Sequence, residues 1–368
     1  MNRLGEVETK LAWVREALAQ SGAEVCRLRG TDGFAWATAG GSSTVLLTAE
    51  TGVAEVVVRP GEAFVLTDRI EAARLEAEEL GGGELAGVLP VRAVPWGDGR
   101  AWEAAARGEA TRVLSDRPGP GEAALPATLQ ARKRTMLPAE LGRFRRVGRL
   151  AAEAVTEVLL AATPEMTELA LAGAASAALR RRGLEDALAL VAGERRLPLY
   201  RHPTAQDEPL GRVAMLVVCA RGYGLVASLT RFVSFGHLSP ELRAAHAEVS
   251  AAEAAVLAAS VPGARLSELY HVLADAYRDL GHPAAISQHH QGGVAGYLAR
   301  EAIATPDSPM TLAEGSVLAW NPSVRGAKIE DTIAMTGDGL EVLTLDPDWP
   351  HAPVNGLERP LVLERLDR

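Results

Sequence analysis

Three groups of residues in this chain carry side chains able to move protons or hold charge at a site: His289 with His290, His202 beside Arg201, and Glu330. The histidine pair runs into Gly292 and Gly293, then Tyr297, Arg300 and Glu301. Imidazole, with an ordinary pKa near 6.5, suits substrate hydrogen bonding or general acid–base work. Glycines beside histidines mark either close approach of backbone to a ligand or a tight strand-to-turn crossing. Placed on a strand, His289 and His290 must point to opposite faces, so one of them faces any cavity and the plain alternative is one satisfied and one exposed ring. Arg201 is expected to disfavour the protonated form of His202. Glu330 reads either as an anchor for a substrate ammonium or as the ion-pair partner of Arg231 or Arg300, since a buried carboxylate without a metal needs a cation. Cys219 sits in the apolar run Val213–Cys219, where an inert core thiol is expected.

Composition sets the outer limits. A chain of 368 residues, 48% apolar, is long enough for two domains. A net charge of −9 argues against a phosphate-binding face, so no nucleic-acid partner is expected. Arginine supplies nearly all the positive charge; lysine occurs only at Lys10, Lys133 and Lys328. Cys26 and Cys219 are too few for a disulfide framework or a thiolate cluster. No apolar run approaches roughly 18 residues and no signal-peptide pattern opens the chain, so no membrane partner and a cytoplasmic location are expected.

The elements that must position these groups fall into two halves. In the first, helical spacing over Glu6–Gln20 stops at Gly22, and β-like runs follow at Glu24–Arg27, Ser43–Thr48, Val53–Val58 and Ala63–Thr67. Asp68 with Glu71 predicts a capped helix to Leu80. Strand signal at Ala86–Val91, a helix around Trp102–Arg107 and a strand at Arg112–Ser115 complete an α/β domain over 1–120, with 121–137 as linker. The second half, 138–368, contains an internal repeat. Pro138–Gly183 and Pro240–Gly281 each give a long helix, a proline break and a second helix started by Thr167 or Ser267, followed by β-rich sequence. Two such α+β units bury their sheets against each other, and a ligand site is expected between the strand sets.

Taken together, these residues resemble the pita-bread metallopeptidase family of creatinase, prolidase, aminopeptidase P and methionine aminopeptidase, with a creatinase-like N-terminal domain. The resemblance rests on Leu229-Thr230-Arg231 followed by Gly236 and Pro240-Glu241, on His289–Gly296, on Gly315–Pro322, and on Ile329-Glu330-Asp331-Thr332 with Gly326, Thr336 and Gly339 around it. It implies a site at which two divalent metals are held by two Asp, one His and two Glu. At those positions this sequence has Val217 (or Cys219 with a two-residue gap), Ser228, Gly293, Asn321 and Glu330, so one ligand type remains. A further family histidine at the end of the histidine strand is replaced by Arg300, and another corresponds to His202.

The resemblance with these replacements implies a Xaa-Pro peptidase-like protein without the dinuclear centre, a pseudoenzyme that needs no cofactor or metal. It would bind a small molecule or a peptide terminus in the old cleft. His202, His289, His290 and Glu330 are the candidate catalytic residues, and Ser228, Arg231, Gly293, Arg300, Glu301 and Asn321 the candidate ligand-binding residues. Two enzymatic alternatives stay open: a metal-free, creatinase-type hydrolase of a small C–N-bonded substrate, and an active Xaa-Pro dipeptidase or aminopeptidase with a rearranged metal site. A mononuclear zinc site of Cys219, His289 or His290, and Glu330 belongs to the latter. An interaction module is a third reading, and the family likeness implies a homodimer.

Overall fold

In the computed structural model the structure describes residues 1–366. The chain divides into two compact units, one of Met1–Glu140 with Tyr223–Leu225, the other of Leu141–Gly222 with the residues from Val226 onward.

The first unit is built on a six-stranded mixed sheet. Its order is Val91–Val94, Ala63–Asp68, Thr51–Val58, Val25–Gly30, Val113–Ser115 and Glu122–Ala124. The helix Arg3–Ser21 ends at Gly22, which takes φ 65° as a left-handed cap. Three expectations meet different structure here. Ser43–Thr48 forms no strand and leaves Val45, Leu46 and Leu47 exposed. Asp68 does accept from the Ile70 and Glu71 amides, but the segment it opens is a short helix, Ala72–Arg74, running into a π-turn, Leu75–Glu79. Ala86–Leu89 is turn, and the strand begins at Val91. The stretch read as a linker, 121–137, holds the sheet's last strand and the helix Ala127–Lys133, whose Lys133 pairs with buried Asp32 at 2.8 Å.

In the second unit the repeat is present as drawn from the sequence. Helices Pro138–Ala161 and Glu168–Arg181 precede the strands Glu185–Gly193, Val213–Gly222 and Leu225–Phe235; helices Pro240–Ala259 and Leu266–Asp279 precede Gly292–Ala295, Val317–Trp320 and Asp331–Thr336. Val213–Ala220 is buried throughout, as a strand covered on both faces should be. With Leu363–Arg365 the first strand set forms a four-stranded sheet, and with Ala302–Ile303 and Gly339–Val342 the second forms a five-stranded one. They join where Thr230 pairs with Glu330 and where the Thr332 hydroxyl bonds both the amide and the carbonyl of Ser228.

One hairpin organises the site. Val317 pairs with Ala334 and Trp320 with Asp331; the same register continues as Ser323 with Lys328 and Val324 with Ala327, and the Ile329 amide bonds Pro322 O. Asn321 therefore stands opposite Glu330. Side chains alternate between faces, so Leu318, Trp320, Val324, Ile329 and Ile333 enter the hydrophobic core while Asn321, Ser323, Lys328, Glu330 and Thr332 share the other face.

Asp331 faces the core side and is fully buried. Arg231 Nη2 donates to its Oδ1 at 2.8 Å, Arg359 Nη1 lies 3.0 Å from its Oδ2, and Arg359 also forks onto Glu253. The sequence paired Arg231 with Glu330; alternation turns it to Asp331 instead. Removing one member of a buried ionic network leaves a charge uncompensated. Asp331→Ala is expected to lower unfolding free energy by about 3–5 kcal/mol in urea titrations. Breaking the exposed Arg145–Glu341 pair with Arg145→Ala should cost no more than about 1 kcal/mol.

Candidate functional site

Glu330 is 2% exposed and both its oxygens have cationic partners. Arg300 Nη2 donates to Oε1 at 2.6 Å, Lys328 Nζ lies 3.0 Å from Oε2, and the Thr230 hydroxyl adds a 3.3 Å bond to Oε2. Burial alone would push this carboxyl up, but Lys328 and Arg300 overcome it and hold it at about 2. Of the two arginines named as partners from sequence, Arg300 is the one present, and Lys328 is the partner that was missed. Arg300 also reaches Ser228 Oγ at 3.4 Å, and Ser228 Oγ lies 3.3 Å from Cys219 Sγ. Cys219 is buried and its thiol is pushed up by that burial, so it stays protonated.

His289 and His290 are not on a strand, because the strand begins only at Gly292. The opposite-face constraint lapses, and both rings gather with His202. Ring centroids of His202 lie 6.1 Å from His289 and 6.0 Å from His290, and His289 and His290 are 6.2 Å apart. His289 Nε2 bonds Ser323 Oγ at 2.8 Å, which ties the trio to the polar face of the hairpin. His290 Nδ1 is buried with no hydrogen-bond partner.

All three imidazoles are held neutral. Burial, then Lys328, lowers His289 to about 3; burial, then Arg300, lowers His290 to about 4; burial and Lys328 lower His202. Arg201, expected to act on His202, instead bears on His289 and donates to the amide oxygen of Gln288.

The remaining candidates divide cleanly. Asn321 is 2% exposed and its Oδ1 lacks a partner. Glu301 is a loop fastener, its Oε1 accepting from the Tyr297 and Leu298 amides. Gly293 lies inside the sheet at φ 150°, and a Cβ there would sit 2.1 Å from Ala302 O; at Gly292, φ 105°, it would sit 2.2 Å from Ala319 O. The glycine pair thus reflects close strand packing, and no side chain fits at Gly293 on this backbone. Arg231 faces away from the histidines, toward Asp331.

Two divalent ions need several anionic ligands. Here the candidate positions supply Glu330 with both oxygens already paired to cations, a hydroxyl, an amide and a glycine, which does not fit such a pair. Among the described residues no group of three or more His, Cys, Asp or Glu is placed to hold a metal ion, the Cys219, histidine and Glu330 set included. What the arrangement can do is hydrogen-bond a ligand from neutral imidazoles and present fixed positive charge. The sequence signal that could have found Lys328 is its rarity, one lysine of three in an arginine-dominated chain.

A histidine whose folded pKa is depressed contributes stability above its unfolded value and loses it as pH falls from about 6.5 toward the folded value. Buried Glu253 and Asp116, raised by burial to about 7 and about 6, move stability in the opposite direction. The histidine share is therefore read by difference. The melting-temperature advantage of the wild type over a His289→Gln/His290→Gln variant should shrink steadily from pH 7 to pH 5, and a constant offset would contradict neutral buried rings.

Comparison with known proteins bears on the fold and the family. Solved structures with the same fold include the prolidase of Pyrococcus horikoshii OT3, at TM-score 0.77 and 17% identity over 92% of this chain and 98% of that one. Dipeptidase PepE of Mycobacterium ulcerans aligns at 0.76 and 19%, over 99% and 100%. The N-terminal domain of FACT complex subunit SPT16 from Cicer arietinum (chickpea) aligns at 0.70 and 15%, over 93% and 96%. These likenesses show the pita-bread fold that the family resemblance implied. A search of curated proteins gave no match. The family description "Metallopeptidase family M24" matches residues 142–337, more than half the chain, and with the fold and hairpin in agreement, this chain belongs to that family.

Proposed function

We propose that this chain is a Xaa-Pro peptidase-like protein without a dinuclear metal centre, and that it binds a small ligand or a peptide terminus in the corresponding cleft. The observation that carries this reading is the double pairing of Glu330. Its two oxygens, which would have to face dications, face the Lys328 ammonium and the Arg300 guanidinium at 3.0 and 2.6 Å. Two fixed monocations supply the compensation that buried carboxylate requires. A dication placed beside them would be repelled by both. Asn321 and Ser228, at the other candidate positions, contribute no charge to offset that repulsion.

A second reading draws on the histidine trio. A neutral imidazole whose Nδ1 is buried and unpartnered, as in His290, would accept a proton at a bound C–N substrate in the tautomer that leaves Nδ1 bare, once a ligand's charge offsets the burial that lowers its pKa. That reading keeps a metal-free hydrolase in view, with His290 or His202 as proton carrier.

Elemental analysis of protein purified without chelator tests the main proposal. Close to zero Mn, Co or Zn per chain is expected, with no change in melting temperature on adding EDTA; about two bound ions per chain, the dinuclear complement, would end it. For the second reading, Xaa-Pro dipeptides and guanidino compounds are incubated with the protein and chelator. Turnover abolished by His290→Gln would establish it, and no turnover of either class would remove it.

A further inference from the structure

The charges on the histidine side of the hairpin do not balance. Arg300 and Lys328 share one carboxylate, Glu330, while the guanidinium of Arg201 donates to a neutral amide, Gln288. Glu330 is also the carboxylate among the groups that act on the three histidine rings; the others are Lys328, Arg300, Arg201 and the rings themselves. Three cations against one carboxylate, with neutral imidazoles between them, make a site that favours an anion.

Hydrogen bonding is incomplete at the same place. The Arg300 side chain is 9% exposed, and its Nε–H is buried without an acceptor. Lys328 is 7% exposed and has three N–H donors, one of which serves Glu330. On the same face Asn321, 2% exposed, presents a buried Oδ1 with no donor. Buried polar groups are normally satisfied, so unused donors on the cations and an unused acceptor beside them describe the complement of a ligand. Asn321 stands across from Glu330, with Lys328 one alternate residue along, a separation of about 5–8 Å that a single bound amino-acid residue spans.

We propose that this site binds the C-terminal residue of a peptide, or an equivalent N-acyl amino acid. The carboxylate takes Arg300 Nε and Lys328 Nζ, and the neighbouring amide N–H donates to Asn321 Oδ1. The nitrogen must be uncharged, because the ammonium of a free amino acid would face three cations. It must also carry hydrogen, which excludes a C-terminal proline acylated at nitrogen. The inference rests on the reading above that no dications occupy the cleft.

Calorimetric titration of the full chain, with metal content measured on the same sample, tests it using N-acetylalanine, N-acetylproline, alanine, acetate and inorganic phosphate. N-acetylalanine is expected to bind at least about tenfold more tightly than each of the others. Arg300→Gln should weaken it by about 10- to 100-fold, the range for losing a hydrogen bond to a charged group. Asn321→Leu should make N-acetylalanine and N-acetylproline equal. Equal binding of those two by the wild type, phosphate binding as tightly as N-acetylalanine, or selectivity that survives Asn321→Leu would each overturn the proposal. About two dications per chain would instead overturn the reading beneath it, whereas a metal-free chain that ignores N-acetylalanine would sink this inference alone.

Discussion

Two adjacent carboxylates, Glu330 and Asp331, each bonded to two buried cations on opposite faces of one hairpin, are the constraint on which the second unit depends. Strand alternation makes the arrangement unavoidable. Once Glu330 faces the histidines, Asp331 must face the core, and neither can be buried there alone. Lys328 and Arg300 answer the first; Arg231 and Arg359 answer the second. Three of the four cations, Arg231, Arg300 and Arg359, arrive from other parts of the chain, so satisfying both acids fixes the positions of the Leu225–Phe235 strand, the loop before Ala302 and the segment around Arg359 together. An ionic network of this kind is costly when incomplete and only modestly stabilising when whole, so its main effect is to select one register over its neighbours. A slip by one residue would send Glu330 into the hydrophobic cluster and Ile329 to the polar face.

The two halves of the network differ in a way that bears on function. Around Asp331 the arginines are absorbed: Arg231 also bonds Thr344 O, and Arg359 also forks onto Glu253. Around Glu330 they are not, since Arg300 Nε and the Asn321 amide oxygen have nothing to bond. Burial is similar on the two faces, but on the Asp331 face the one atom without a hydrogen bond, Asp331 Oδ2, lies 3.0 Å from Arg359, whereas on the Glu330 face a donor and an acceptor are both left over. A core network gains nothing from unsatisfied groups; a site that receives a ligand does, because those groups then bond to what arrives.

Much of this was legible in the sequence, and the boundary is physical. The helix pairs, the break at each proline and the continuous apolar strand follow from local periodicity and punctuation, which depend on near neighbours. Ser43–Thr48 looked like a strand because Val45, Leu46 and Leu47 are β-prone, but it meets the strand Thr51–Val58 through one backbone bond, Val53 N–H to Ser43 O, and then turns away, and continuous pairing is what propensity cannot supply. The histidine trio failed for a related reason. Assigning His289 and His290 to a strand forced them apart, whereas the strand starts two residues later and leaves them free to meet His202 from more than eighty positions away. Lys328 was visible and unused. Where arginine carries almost all positive charge, the three lysines prove to be buried and ion-paired at Glu6 and Glu140, at Asp32 and at Glu330, positions where a compact ammonium fits more easily than a planar fork.

Gly293 shows that the backbone as well as the side chains limits which residues this site can carry. Its φ of 150° and the 2.1 Å approach of Ala302 O to a notional Cβ mean that a histidine there requires the strands to move apart. A side chain at Gly293 would therefore disturb the sheet that carries Glu330 and still leave Lys328 and Arg300 in place. Carboxylates placed at Asn321 or Ser228 with those cations still present would pair with them. The site is self-consistent as a set of buried cations beside neutral imidazoles, with its side chains and its strand spacing fitted to one another.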